Sequence, residues 1–288
     1  MRTQIDESKM LAGIQSGSAT TAAAKRRRGA WRSVRVQAGL IRVVILIVLA
    51  GAWELTSKLG LVSNLFISNP VSVAGAIGDA LSNQTTVSAI VQTLEESAYA
   101  FVIAAGAGLI LGVLIGTVTA LREAYFPIVL YLLGLPKSIF LPILILLFGI
   151  GAGSAVALAV ALGIPFMIVS VVGGIELVEA SHIRAARAFG ANRWQVVKSV
   201  LFPAALPGIV TGLWHVARNV LGGVLLGQIF ASSGGVGQLI EEYESNFQAN
   251  KLIALVILLS VVAIILGNLF DLAEKRLGRW RGTDPIVP

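Results

Sequence analysis

Long apolar segments constrain the fold of this chain more than any other feature. A helix needs roughly 20 apolar residues to cross the hydrocarbon core of a bilayer. Stretches of about this length occur at residues 40–59, 98–121, 126–148, 154–175, 208–230 and 252–269. Only 13% of the 288 residues are charged, whereas a soluble domain carries about 25%. The sequence therefore predicts an all-α integral membrane protein with about six transmembrane helices.

The basic residues predict the orientation of these spans. Six spans place both termini on the same side, and Lys and Arg concentrate at both ends, near Arg122 and in residues 181–206. If both termini are cytoplasmic, the positive-inside rule is satisfied, and the net charge of +7 needs no nucleic-acid partner. The predicted domains are a disordered cytoplasmic basic arm at 1–38, a transmembrane domain at 39–271 and a cytoplasmic tail at 272–288. The basic run at 25–28 is interpreted as a topology anchor, with anionic lipid headgroups as an alternative partner.

Glycines and prolines predict details of the spans. Gly108, Gly112 and Gly116 recur every fourth residue, and small residues so placed allow close approach of helix backbones in lipid. Pro136 and Pro142 each remove a backbone donor, which predicts kinks in the third span.

Residues 181–206 predict a cationic element outside the membrane. A short helix is predicted at 182–189, followed by a turn at Gly190, because glycine adopts positive φ at little cost. Beyond the turn, Trp194, Val197 and Leu201 share one face of a second amphipathic helix. The next prolines are predicted to end it. A helix–glycine–helix element of this kind suggests a docking surface for another protein.

The spacing of this element resembles the EAA loop of bacterial binding-protein-dependent ABC importer permeases. That motif consists of EAA, three residues, G, nine residues and then I-x-LP. The corresponding residues here are Arg184, Ala185, Ala186, Gly190, Val200, Phe202 and Pro203. Arg184 stands where the family usually has glutamate. The resemblance extends from about residue 66 to the end, and looks closest to the subfamily that carries nitrate, sulfonate and taurine.

The resemblance implies a fold, partners and docking residues. The fold would be that of a type I (MetI-like) ABC importer permease in the bacterial inner membrane. Two transmembrane subunits, either a homodimer or a pair with a close homologue, would bind two ATPase subunits and an extracytoplasmic solute-binding protein. ATP and Mg²⁺ would bind the ATPase, since this chain has no Walker A pattern. The implied docking residues are Arg184, Ala185, Ala186, Gly190, Trp194 and Pro203.

Four polar residues inside the predicted spans are candidates for a solute path. They are Lys137, His215, Arg218 and Gln228. Ionisable groups at membrane depth usually face the bundle interior or a water-filled cavity, and the cations among them would favour an anion. In the alternative interpretation, Lys137 contacts carbonyl groups freed by Pro136, and His215 reaches the interface. Gln228 stands where related permeases often have glutamate.

The same residues argue against other functional classes. The chain has no cysteine, and its two histidines are His182 and His215. No cluster suggests a metal site or acid–base catalysis, so the sequence predicts no catalytic residue and no metal. An ATP-independent channel or secondary transporter remains the alternative function, although neither needs a docking loop with this spacing.

Overall fold

The computed structural model describes residues 37–45, 47–59, 68–231 and 234–278. Within these ranges the regular structure is helical, with no strand. The chain divides into two compact units, Met1–Pro70 and Val71–Pro288. The predicted basic arm lies outside the described residues apart from its last two, and the predicted tail lies outside them after residue 278.

The first predicted span is a helix, α1, at Gln37–Lys58. Near its end, the indole Nε1 of Trp53 donates a hydrogen bond of 2.6 Å to the carbonyl oxygen of Ser68. Lys58 Nζ lies 3.0 Å from the Glu54 carboxylate one turn earlier. These contacts lie within the first unit.

The remaining helices follow in chain order. They are α2 Pro70–Ser82, α3 Gln84–Thr117, α4 Thr119–Gly134, α5 Leu141–Phe148, α6 Ala152–Glu176, α7 Ala180–Ala188, α8 Arg193–Val196, α9 Phe202–Ala231, α10 Gly235–Ser245 and α11 Ala249–Gly278. Among the described residues, five helical stretches are long and apolar enough to cross a membrane, and a bent pair forms the sixth candidate. α11 also contains the start of the predicted tail.

The glycine stripe on α3 packs against α6 as predicted. A Cβ atom built on Gly108 would lie 2.5 Å from Met167 Cβ, and one on Gly112 would lie 2.8 Å from Val171 Cβ. Gly116 meets α6 in the same way, one turn further along. Side chains of α6 therefore occupy the space that a residue larger than glycine would need at these positions of α3.

α6 packs along α9 through small residues as well. A Cβ atom on Gly227 would lie 2.4 Å from Ala155 Cα, and one on Gly223 would lie 2.6 Å from Ala159 Cα. Both alanines are fully buried. α6 thus lies between α3 and α9 and forms the centre of the second unit.

The third predicted span is broken rather than kinked. α4 and the helical stretch Lys137–Phe148 meet at 96°, and that stretch begins as a 3₁₀ helix at Lys137–Phe140. Pro136 precedes the new helix, where its missing donor costs nothing. The predicted kink at Pro142 is wrong, because Pro142 lies in the first turn of α5.

Candidate functional site

The predicted docking loop begins with α7, which has one packed face and one exposed face. Ile183 and Ala186 are half-buried against the core cluster of the second unit. Arg184 and Ala185 are exposed, and the side chain of Phe189 just after the helix is 92% exposed. α7 therefore presents a cation and apolar groups to its surroundings while its other face holds it to the bundle.

The predicted turn at Gly190 is confirmed, since this residue has φ +82°. The amide of Gly190 donates to the carbonyl of Arg187 at 2.9 Å, and the amide of Ala191 donates to the carbonyl of Ala186 at 3.1 Å. Left-handed backbone at a helix C-terminus is the usual place for glycine. Asn192 then begins the next helix with a capping box formed with Gln195. The chain reverses within a few residues, and each end of the turn is hydrogen-bonded.

The second half of the loop differs from the prediction at its prolines. The helical stretch from Arg193 runs without a break to Ala231, so Pro203 and Pro207 do not end the docking helix. α8 passes through a π-helical segment, Val197–Leu201, into α9. Pro203 is the second residue of α9, which begins directly after this π-helical segment. Within the segment the hydrogen bonds follow an i→i+5 pattern instead of the ordinary α-helical one. The docking element is thus continuous with a membrane-spanning helix.

A groove of 320 Å³ lies on the outer side of this loop. It is lined by Ala186, Phe189, Gly190, Ala191, Gln195, Ser199 and Val200. Of the predicted docking residues, Ala186 and Gly190 line the groove. Arg184 and Ala185 lie beside it on α7, and Trp194 lines a separate cavity behind the loop.

The four candidate solute-path residues do not form one cluster. Lys137 is buried, and its Nζ lies 5.9 Å from the ring centroid of Phe166. That ring stacks on His215, with centroids 6.0 Å apart. Lys137, Phe166 and His215 therefore form one row, named here the cation row. Arg218 is exposed and lies over the Trp214 ring at 5.1 Å.

Gln228 belongs to a buried hydrogen-bond network far along α9. Its Nε2 donates to Glu96 at 2.9 Å, and its Oε1 accepts from the amide of Gly237 at 3.0 Å. The other carboxylate oxygen of Glu96 accepts from Gln92 Nε2 at 2.9 Å. Thr93 also lies 2.9 Å from Gln228 Oε1. This network ties α3, α9 and α10 together and does not join the cation row.

Glu96 and Phe166 are the residues that sequence reasoning missed. Glu96 lies two residues before the predicted span 98–121, yet it is buried within α3 at 5% exposure. A glutamine one turn earlier was the available signal, because residues four apart share a helix face. Phe166 carried no signal, since an aromatic residue in an apolar span is ordinary.

Two segments predicted to share one side of the membrane do lie together. Arg122, just after α3, forms an ion pair with Glu176 at the end of α6. Both residues line one cavity with α7 and α8. Among the described residues, no group of acids and histidines could hold a metal ion.

Comparison with known families decides the identity of the fold. Residues 104–279, more than half of the chain, match the family described as "Binding-protein-dependent transport system inner membrane component". The chain belongs to this family. The resemblance of its loop to the EAA motif is thereby confirmed.

Relatives of this permease cover nearly its whole length. It is 28% identical to the putative aliphatic sulfonates transport permease SsuC of Bacillus subtilis, over 92% of this chain and 95% of the relative. It is 26% identical to the taurine transport system permease TauC of Escherichia coli, over 89% and 95%. The riboflavin transport system permease RibX of Chloroflexus aurantiacus is 27% identical over 83% and 90%.

A solved structure supports the fold of the permease. A chain of the MetNI methionine ABC transporter, in an inward-facing conformation, matches it with a TM-score of 0.57 and 25% identity. The match covers 66% of this permease and 93% of that chain. The predicted all-α, type I importer permease fold is confirmed.

Proposed function

We propose that this permease is the transmembrane subunit of an importer for a small solute that carries an anionic sulfonate group. Energy would come from ATP and Mg²⁺ bound to separate ATPase subunits, and an extracytoplasmic binding protein would deliver the solute. Family membership supports the transport role. The observation that carries the choice of an anion is the buried ammonium group of Lys137.

Lys137 is a costly residue at its position. A cation within membrane-spanning helices usually faces the bundle interior, a water-filled cavity or a partner charge. Among the described residues, Lys137 forms no ion pair, and its Nζ lies over the ring of Phe166. An anionic solute passing along the cation row would neutralise it.

The relatives support the same solute class, although they do not decide it alone. Two of them are named for sulfonates or taurine, and taurine is itself a sulfonate. RibX is named for riboflavin at similar identity. The buried lysine therefore supplies the argument for an anion, and Arg218 would extend the path as an exposed cation.

The docking loop would transmit ATP-driven motion to the spans. Arg184, Ala185 and Phe189 would contact the ATPase, with Ala186 and Gly190 forming the groove beside them. Because α8 continues into α9, displacement of the loop would tilt a spanning helix directly. Trp194 and Pro203 would serve within this rigid connection. The two termini would face the cytoplasm, on the same side as the ATPase.

A second copy of the permease, or a close homologue, would complete the membrane unit. The solute path would then lie between the two copies, in the cytoplasmic membrane. A channel or a secondary transporter stays the alternative function, and it would move solute without an ATPase.

The solute class can be tested with the purified transporter complex in proteoliposomes that contain its binding protein. We expect taurine or an alkanesulfonate to stimulate ATP hydrolysis and to be taken up, whereas riboflavin has no effect. Stimulation by riboflavin, or by an uncharged solute alone, would contradict the proposed anion path.

A further inference from the structure

A second cavity, of 710 Å³, adjoins the docking loop and shares no lining residue with the groove at Phe189 and Gly190. It is bounded by the junction of α3 and α4, the end of α6, α7 and the first turns after Gly190. We call it the arginine pocket. Its charged lining residues are Arg122, Glu176, Arg187 and Arg193, and Trp194 lines the same cavity.

The charges of the arginine pocket are unbalanced. Arg122 is paired with Glu176. Arg187 and Arg193 are exposed and form no ion pair within the part of the chain that the structure describes. Two guanidinium groups that form no ion pair in the described part of the chain therefore border one cavity, and guanidinium groups bind phosphate oxygens well.

The floor of the pocket is apolar. Leu201 and Ile175 are buried there, and Val197 is half-buried. Trp194, which lines the same cavity, is 72% exposed. Tryptophan is enriched where membrane helices meet the polar headgroup layer. A ligand that fits this lining has an anionic head and an apolar body.

The position of the pocket identifies that ligand. The long apolar helices α3 and α6 both end at its rim, at Thr117 and Glu176, so the pocket lies at the level where spans leave the bilayer. Basic pockets between membrane helices at this level bind acidic lipid headgroups. A free phosphate would gain nothing from the apolar floor.

We propose that the arginine pocket binds the headgroup of an anionic phospholipid. Its phosphate lies between Arg187 and Arg193, and its glycerol and first acyl carbons lie on Val197 and Leu201. The bound lipid bridges α7 to the ends of α3 and α6, and so steadies the docking loop against the bundle.

The test is native mass spectrometry of the full-length permease, titrated with phosphatidylglycerol or with phosphatidylcholine of the same acyl chains. We expect phosphatidylglycerol to bind more tightly, and the double variant R187Q/R193Q to lose this preference, at about fivefold for each arginine. The matched control is R184Q, because Arg184 is exposed on the same helix but does not line the pocket. Thermal unfolding in detergent establishes that the variants are folded.

Three results would overturn the proposal. If R187Q/R193Q kept the wild-type preference for phosphatidylglycerol, or if R184Q reduced that preference equally, the lipid would bind outside the arginine pocket. Competition by inorganic phosphate or glycerol phosphate, at concentrations equal to the lipid, would assign the pocket to a soluble phosphate instead.

Discussion

Gln228 joins three helices through one amide group. It extends from α9, donates to Glu96 of α3 and accepts a hydrogen bond from the backbone of Gly237 in α10. The side chain is fully buried. At membrane depth no water replaces a lost hydrogen-bond partner, so we expect loss of this amide to lower the stability of the fold.

Replacing Gln228 by leucine should destabilise the permease. The substitution leaves the Glu96 carboxylate with one amide donor instead of two, and an under-satisfied buried charge costs on the order of 2–4 kcal/mol. We expect a lower unfolding temperature in detergent for Q228L. Q238L is the matched control, because Gln238 is exposed on α10. Equal stability of the two variants would show that the network contributes little.

The lysine of the cation row should affect transport rather than stability. We expect K137Q to reduce uptake of a sulfonate by at least about tenfold, because the solute loses a charge partner in a low-dielectric environment worth ~1.4 kcal/mol or more. K251Q is the control, since Lys251 is exposed at the start of α11. Uptake by proteoliposomes, at equal protein content, measures the difference. Unchanged uptake by K137Q would place the solute path elsewhere.

At the level of helices, packing in the membrane depends on small residues at regular spacing. Close packing of the glycine stripe on α3 was predictable, because small residues at four-residue spacing are themselves the signal for close helix packing. The sequence did not show which helix would pack against the stripe. Gly106 on the same helix lies outside this pattern, and no atom lies within 4 Å of a Cβ built there. One helix therefore provides both a test position and its control.

Leucine at Gly112 should loosen α3 from α6, whereas leucine at Gly106 should not. The larger side chain at Gly112 would overlap Val171, and overpacking of this kind costs about 1–3 kcal/mol. Thermal unfolding of G112L and G106L in the same detergent compares the two positions. If both variants unfold at the wild-type temperature, close packing of α3 on α6 does not stabilise the fold.

The prolines limited what the sequence could predict about helix ends. Pro136 precedes a new helix, Pro142 lies in the first turn of α5, and Pro203 and Pro207 lie inside a continuous helical stretch. Proline lacks a backbone N–H donor. In the first turn of a helix this donor is not needed, so proline can begin a helix, whereas in a helix interior its absence disrupts a hydrogen bond. The burial of Glu96 was also missed, because its second amide partner, Gln228, lies on a helix distant in sequence.

The turn of the docking loop should be needed for coupling. Valine at Gly190 must adopt a positive φ, at a cost of about 1–3 kcal/mol, which would displace α7. We expect G190V to remain in the membrane and to lose most of its uptake while ATP hydrolysis continues. G222V is the control, since Gly222 faces open space without positive φ. Wild-type uptake by G190V would show that coupling does not depend on the turn at Gly190.

For the whole molecule, one continuous helical stretch connects the docking loop to the buried network around Gln228. α7 packs on the core through Ile183 and Ala186, and the helical stretch from Arg193 carries this connection to Gln228 near its far end. The fold class, the six candidate spans and the Gly190 turn followed from the sequence. The path between the loop and the network required the tertiary structure, since it depends on which helices meet.

The central claim is that this permease works only with an ATPase, and partner-dependent uptake tests it most directly. The permease would be purified from its native membrane in mild detergent, its partners identified by mass spectrometry, and the complex placed in liposomes with labelled taurine. We predict that an ATPase with a Walker A motif copurifies. We also predict that taurine uptake requires ATP on the side of the liposome membrane that the ATPase faces. A permease that purifies alone and takes up taurine without ATP would contradict the account and support a channel or secondary transporter.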